Sequence, residues 1–339
     1  MPIESQNIPS PLISIVVICW NSAAYLSKCL DSLRTQALAD FEIVIIDNGS
    51  SDHAVENLQE KTSGLEFQIK ILDRNEGFAK ANNIGIRLAR GKWIALLNVD
   101  AFPEPDWLEK LLQAANQNPE YSSFASRQIQ ANTPERLDGA GDVYHVSGLA
   151  WRHYYNLPTE KFGHQAAEVF SPCGAAALYL REEFLHAGGF DEDYFSYFED
   201  IDLGFRLRLA GKKCLYVAEA VVHHVGSAST GKRSDFSVYY GYRNLIWTFV
   251  KNMPAPLIWI FLPLHISTIL FFAIYLTLRG QGKAIWKAIF DALYGLPKMI
   301  EKRRSVQKNK KITSKELLRV MSTGVFEPYR EFRQRNMGR

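Results

Sequence analysis

The stretch Phe41-Glu-Ile-Val-Ile-Ile-Asp47-Asn-Gly-Ser-Ser-Asp52 joins a nearly unbroken β-branched run to a polar turn. Such a run suits a strand buried on both faces, and the turn then falls at its carboxyl end. Upstream, Ile13-Ser-Ile-Val-Val-Ile-Cys19 is a run of the same kind. Between the two, Ala23 to Arg34 carries Leu26, Leu30 and Leu33 at helical spacing. Downstream, Ile69 to Leu72 predicts a third strand and Ala79 to Ala89 a helix, with Gly91 at its expected C-cap. Trp93 to Leu97 predicts a fourth strand. Strands alternating with helices imply an α/β fold, a mostly parallel sheet covered by helices on both faces. In such sheets ligands bind at the carboxyl ends of strands. Asp47 and Asn98-Val-Asp100 fall there.

Residues 120–170 are less regular and rich in Gly, His, Tyr and Asn, and read as loops and short antiparallel strands near a site. Ala175 to Leu180 predicts a strand, Glu182 to His186 a short helix, Asp200 to Gly211 a helix, and Cys214 to Val222 a strand. There is no internal repeat.

The 339 residues are 47% hydrophobic and 22% charged, which excludes a disordered chain, a collagen or a disulfide scaffold. The length allows one large α/β domain of roughly 250 residues with an appendage. Cys19, Cys29, Cys173 and Cys214 form no CxxC pair and read as buried residues of a reducing compartment. The N-terminal MPIESQNIPSPL lacks the basic region of a signal peptide, so the expected location is cytoplasmic.

The net charge of +3 is unevenly spread. Residues 298–339 hold 13 Lys/Arg against 4 Asp/Glu, leaving 26 against 32 in the remainder. Just before this basic end, Leu257 to Leu278 has 17 apolar residues of 22 and no charge. About 20 such residues can span a bilayer. Pro263 and His265 are costly in a lone spanning helix, so a helix lying in the interface or a hairpin fits equally. The basic run 298–311 beside it suits an anionic cytoplasmic leaflet, while the plainer reading is a buried helix and a solvated tail. The expected division is therefore 1–252 and a helical, apolar then basic region 253–339.

Five constellations could carry chemistry. Asp47 could accept from a base or ribose, with Gly49 allowing close backbone approach, or the segment could be a turn with Asp52 as an N-cap. Asn75-Glu-Gly77, with Asn82 and Asn83 beyond it, could cradle a diphosphate at a helix N-terminus, or simply cap that helix. Asn98-Val-Asp100 offers oxygens to a hard cation such as Mg²⁺ or Mn²⁺, or is a strand end leading into a turn. Glu199, Asp200 and Asp202 crowd three carboxylates into four residues, which can raise one pKa and create a general base. The alternative is acids complementing a helix N-terminus. Of His223 and His224, one imidazole could complete a metal site. Residues 226–233 nearly match the phosphate-binding loop, but Arg233 stands where a hydroxyl is needed. No GxGxxG follows the first strand.

Together VVICWNS, DNGSSD, NEGFAKANNIG, LLNVD, CGAAALYLR, GGFDEDYFSYFEDIDLGFRLRLAG, VVHHVG and YYGYRN, in this order from about Ile13 to Asn252, resemble family 2 glycosyltransferases of the GT-A fold. The pattern is similar to bacterial rhamnosyltransferase-like members. The resemblance implies inverting transfer of a sugar, L-rhamnose from dTDP-rhamnose in that subgroup, to a lipid-linked or growing cell-surface polysaccharide. It implies a divalent metal, Mn²⁺ or Mg²⁺, on the donor diphosphate. It places Asn21, Asp47, Asn75, Gly77, Asn83, Asn98 and Asp100 at the donor, Gly174 and Arg206 at the acceptor, and Asp100 and His223 on the metal, with His224 as the substitute. Asp200 would be the base and Glu199 its support. Asn98 departs from the first carboxylate of the family's Asp-x-Asp motif. The implied partners are a nucleotide-sugar, a glycan or polyprenyl-diphosphate-linked acceptor and the cytoplasmic face of the inner membrane, with no nucleic acid. Two other readings stay open: a non-catalytic module of the same fold binding a nucleotide sugar or glycan at the membrane, and a nucleotidyltransferase. The latter would need a Gly-rich basic loop where this chain has Trp20-Asn-Ser-Ala.

Overall fold

In a computed structural model, which describes residues 10–56, 58, 65–226 and 234–336, the predicted alternation is present. β1 (Ile13–Cys19), α1 (Ala23–Arg34), β2 (Phe41–Asp47), β3 (Phe67–Ile71), α2 (Phe78–Leu88) and β4 (Trp93–Asn98) come in that order. β1 pairs in parallel with β2 and β4, and β2 with β3. The near-phosphate-loop segment 227–233 lies outside the described residues.

The second half of the sheet departs from expectation. After β5 (Ala101–Pro103) and α3 (Trp107–Gln117), the region read as loops and short antiparallel strands opens with β6 (Tyr121–Gln130), a ten-residue strand inside the sheet. Four short strands follow: β7 (Leu137–Ala140), β8 (Asp142–Tyr144), β9 (Ala150–Arg152) and β10 (Ala167–Val169). β11 (Ala176–Leu180), α4 (Arg181–His186), α5 (Glu199–Leu209) and β12 (Lys213–His224) complete this half. The order is β10-β12-β6-β11-β4-β1-β2-β3, with β5 on β12 and β7 on β6. β11 runs antiparallel between β4 and β6, and β12 lies parallel to β6, so the sheet is mixed but mostly parallel.

Alternation along β1 fills both faces. Ile13, Ile15 and Val17 pack with Leu26 and Leu30 of α1 and Trp107 of α3. Val16 packs on the other side with Ile86 of α2, Phe184 of α4 and Leu203 of α5. Gly91 does not cap α2, whose C-cap is Ala89. It lies against β1 instead, where a Cβ would stand 2.5 Å from the Ser14 nitrogen.

Beyond β12 the chain is helical: α6 (Asp235–Asn252), α7 (Leu257–Leu276), α8 (Gly282–Tyr294), α9 (Leu296–Lys308), α10 (Ser314–Val320) and α11 (Glu327–Asn336). Leu257–Tyr294 is the one segment among the described residues apolar and long enough to cross a membrane, by length and composition. It turns at Gly280, whose φ of 84° a side chain rarely tolerates. α8 then packs on α6, where Trp247 Nε1 donates to the Ala292 carbonyl at 3.0 Å. Trp259, Ile260, Phe271, Ile274, Leu278 and Phe290 remain exposed. The basic run is not a free solvated tail. Lys298 and Lys302 of α9 reach Asp193 at 2.7 and 2.6 Å, and Arg303 donates to the Val250 carbonyl at 2.8 Å.

α2 sits close on the sheet because Gly85 has no side chain: a Cβ would meet Val16 Cγ1 at 2.5 Å and Ile46 Cγ1 at 3.2 Å. Alanine would gain about 1 kcal/mol of helix propensity, but forcing a methyl into a packed core costs about 1–3 kcal/mol. Gly85→Ala is therefore expected to lower the urea unfolding midpoint. A raised midpoint would mean that α2 lifts freely from the sheet.

Candidate active site

The carboxyl edge of the parallel strands opens into a cavity of 510 Å³. Asn48, immediately after β2, donates from Nδ2 to Asn75 Oδ1 at 3.0 Å and accepts from the Glu76 N–H at 2.9 Å. Asn75 Oδ1 also accepts from the Gly77 N–H at 2.8 Å. The two amides thus fix the turn that starts α2. Gly77 has φ 84°, and a Cβ there would stand 2.6 Å from the Phe195 carbonyl oxygen. Asn48, Asn75 and Gly77 line the cavity.

Asn98, the last residue of β4, and Asp100, in the turn beyond it, line the same cavity. The imidazole that meets them is His224, not His223. β12 runs through both residues, so alternation sends them to opposite faces. His223 turns outward to Glu104, 3.2 Å from its Nε2. His224 is buried, with Nε2 3.3 Å from Asp100 Oδ1 and 3.5 Å from Asn98 Nδ2. Its Nδ1 lies 2.7 Å from Asp138 Oδ2. Burial disfavours the imidazolium, but the hydrogen bonds to Asp100 and Asp138 outweigh it and lift the pKa to about 9.

A carboxylate behind a histidine whose other nitrogen faces a second carboxylate is an arrangement that suits a metal. No group of three His, Cys, Asp or Glu side chains among the described residues could hold one. A cation held by Asp100 and His224 would therefore need its remaining ligands from substrate phosphate oxygens and water.

The opposite wall carries the acids at the start of α5, and the fold separates them. Asp200 accepts from the Gly174 N–H at 2.9 Å and from the Ile201 N–H at 2.8 Å. Burial raises its pKa; the backbone donors and the Arg152 guanidinium pull the other way without cancelling the rise. Glu199 is buried beside it, and burial with the Asp200 charge pushes its carboxyl well above the usual range. Asp202 faces away from the cavity, ion-paired to Lys251 at 2.6 Å and to Arg206 at 2.9 Å. Gly174, Glu199 and Asp200 line the cavity.

Besides His223, four residues expected at ligands do not line it: Asn21, Asp47, Asn83 and Arg206. Asp47 Oδ1 accepts from the Ser50 N–H at 2.9 Å, and Asn21 Oδ1 from the Ser51 N–H at 2.8 Å, so both shape the turn after β2. Asp52 caps α1 from across that turn, accepting from the Ala23 N–H at 2.7 Å. Asn83 is buried and bonds both the N–H and the carbonyl of Phe190, at 2.9 and 2.8 Å. Arg206 donates to the Gly189 carbonyl at 2.7 Å. Asn83 and Arg206 hold the glycine turn that leads into Asp191, on the far side of α5.

Four further lining residues belong to none of the motifs quoted above. Asp138, Asp142, Trp151 and Arg152 arrive from the short strands β7 to β9, with Arg152 ion-paired to Asp138. Phe195, Tyr197 and Phe198 form a rim at φ 63°, 68° and 67°, left-handed values that cost non-glycine residues about 1–3 kcal/mol each. Asn244 of α6 holds that rim, donating to the carbonyls of Tyr194, Ser196 and Tyr197 at 2.9, 2.9 and 2.7 Å. The run YYGYRN contains this asparagine, which is the one sequence signal for it.

The model of the family described as "Glycosyl transferase family 2" matches residues 14–184. The chain is 31% identical over 153 residues to a chondroitin synthase of Escherichia coli, covering 45% of this chain and 21% of that one. It is 28% identical over 235 residues to the O-antigen biosynthesis protein RfbC of Myxococcus xanthus, covering 67% and 18%. The chain thus spans less than a quarter of these relatives. In fold it is similar to the mannosyltransferase PcManGT from Pyrobaculum calidifontis, solved with GDP-Man and Mn²⁺. The TM-score is 0.54 at 17% identity, over 97% of this chain and 84% of that one.

The raised pKa of His224 links folding to pH. Its protonation contributes stability that is fully present below the ordinary value of 6.5 and lost as pH rises through about 9. In chelator, the urea midpoint should fall across that window, and His224→Gln should flatten the fall. A level wild-type midpoint would show that the imidazole is not held as an imidazolium.

Proposed function

The chain belongs to glycosyl transferase family 2 and has the GT-A fold, and we propose that it transfers a sugar, with inversion, from a nucleotide-sugar to a glycan acceptor in polysaccharide biosynthesis. One observation carries the reading: the half-buried Asp200 carboxylate and the Asp100–His224 pair face one cavity, beside the braced Asn48 and Asn75. The donor we propose is dTDP-L-rhamnose, supported by the ordered segment pattern alone.

The acceptor hydroxyl gives its proton to Asp200, whose raised pKa brings it nearer the operating range of a general base. The freed oxygen pair forms the new bond at the anomeric carbon while the bond to the nucleoside diphosphate breaks, leaving its pair on the phosphate. Burial and the Asp200 charge push the Glu199 carboxyl toward its protonated form, in which it can donate a hydrogen bond beside the base. Arg152, ion-paired to Asp138, brings a guanidinium to the same cavity. Mn²⁺ or Mg²⁺ held by Asp100 and His224 would neutralise charge on the departing diphosphate. The strained segment 195–198 lines the same cavity beside Glu199 and Asp200.

The acceptor side of the proposal is a glycan carried on a lipid, with the protein at the cytoplasmic face of the membrane. The exposed apolar rings of α7 and α8 support it. The division at residue 252 between a transferase part and a membrane-facing helical part belongs to the same reading.

The test is nucleoside diphosphate release with a panel of nucleotide sugars, with and without Mn²⁺. Asp200→Asn should lower kcat by about 10²–10⁴-fold and leave nucleotide affinity intact. In the wild type kcat/KM should rise with pH to a plateau, with its inflection above the usual carboxylate range. Full turnover in a folded Asp200→Asn protein would remove the base assignment. Nucleotide binding without release from any donor would favour a binding module.

A further inference from the structure

A second cavity, of 520 Å³, adjoins the first and shares Ala150, Trp151 and Phe198 with it. Its other walls are stripes of two helices. Val238, Gly241, Tyr242 and Leu245 of α6 face Phe272, Tyr275 and Leu276 of α7. Gly241 leaves it open, since a Cβ added there meets nothing within 4 Å. Among the described residues its charged lining is Glu331 of α11 and Arg279, whose guanidinium lies 5.4 Å from the Tyr275 ring. On its outer side α7 carries exposed Leu270, Phe271 and Ile274, followed by exposed Leu278 just beyond its end.

We propose that this groove binds the hydrocarbon chain of a lipid-linked acceptor, an inference that rests on the transferase reading and adds a binding site to it. Continuity decides the occupant. A groove walled mainly by apolar and aromatic side chains, sharing three residues with the base-bearing cavity, receives a molecule that is apolar at one end and a sugar at the other. The chain lies between α6 and α7, and the sugar reaches past Trp151 and Phe198 toward Asp200. Arg279 gives an anionic phosphate linkage a cation at the groove. A soluble glycan would leave these apolar walls in water.

Gly241 allows a direct test, because a leucine there fills the groove without touching the catalytic cavity. The full chain in detergent would be photolysed with a benzophenone-bearing farnesyl diphosphate and the adducts mapped by mass spectrometry. Labelling should fall on α6 and α7, be competed by a long-chain polyprenyl phosphate, and drop at least tenfold in Gly241→Leu. Gly241→Ala, whose methyl fits the open space, should label nearly as wild type. Calorimetric binding of dTDP, UDP or GDP with Mn²⁺ should be unchanged in both variants. Labels elsewhere, labelling insensitive to Gly241→Leu, or equal competition by a neutral ten-carbon detergent would each overturn the groove assignment. Absent nucleotide binding in the wild type would instead sink the transferase reading, and the label map would still decide whether the groove takes a lipid.

Discussion

A buried ammonium holds the catalytic wall together. Lys251 of α6 is 1% exposed, 2.7 Å from Asp191 Oδ2 and 2.6 Å from Asp202 Oδ1. Asp191 precedes the strained rim, and Asp202 lies two residues beyond Asp200 on α5. Burial works against the Asp191 charge, but Lys251 and Lys302 beside it hold its carboxyl far below the usual range. Asp202 stays ionised for the same reason, between Lys251 and Arg206. Removing one member of such a buried set leaves an uncompensated charge and costs about 3–5 kcal/mol. The network therefore fixes four segments at once: the turn after α4, the base-bearing helix α5, α6 and, through Lys302, α9. The left-handed residues of the rim persist because Asn244 and this network over-determine their backbone.

The fold was legible where hydrophobic period and burial agree. β1, β2 and β4 are apolar runs buried on both faces, and α1 shows its leucines at helical spacing, so their boundaries come out within a residue or so. β6 was not legible. Its Tyr121-Ser-Ser-Phe-Ala-Ser start lacks the β-branched run, and it is buried because neighbours cover it: Ser126 Oγ accepts from Trp107 Nε1 at 2.8 Å. The metal-side imidazole hung on one register detail. β12 extends two residues beyond the apolar run, and the step from 223 to 224 reverses the face.

The site was legible as a set of strand ends, less so as a set of contacts. Asn75, Gly77, Asn98, Asp100, Gly174, Glu199 and Asp200 converge because the topology delivers carboxyl ends to one edge. Asn83 and Arg206 sit in the same motifs yet serve the backbone. Gly188 and Gly189, at φ 86° and 68°, form a turn whose carbonyls and N–H groups need partners inside the protein. Asp138 and Arg152 were invisible because nothing in the composition of these short strands says that they line a cavity.

The balance of forces at the C-terminal helices follows from where their charges go. Sequence counting suggests a basic surface, and part of it turns inward: Lys298 and Lys302 pair with Asp191 and Asp193 and Arg303 bonds main-chain carbonyls, while Arg304, Lys308 and Lys311 stay exposed. Attraction to an anionic surface would also be screened over about 8–10 Å at ordinary salt. The apolar rings of α7 and α8 lose nothing to salt, so in the proposed reading they dominate any contact with lipid. The inward cations do different work. They tie α9 to the two aspartates just ahead of the rim, so the helices that would face the membrane share a charge network with the helix that presents Asp200. A chain built this way cannot reposition its C-terminal helices without disturbing its catalytic wall, and an acceptor entering between α6 and α7 would meet that wall already in place.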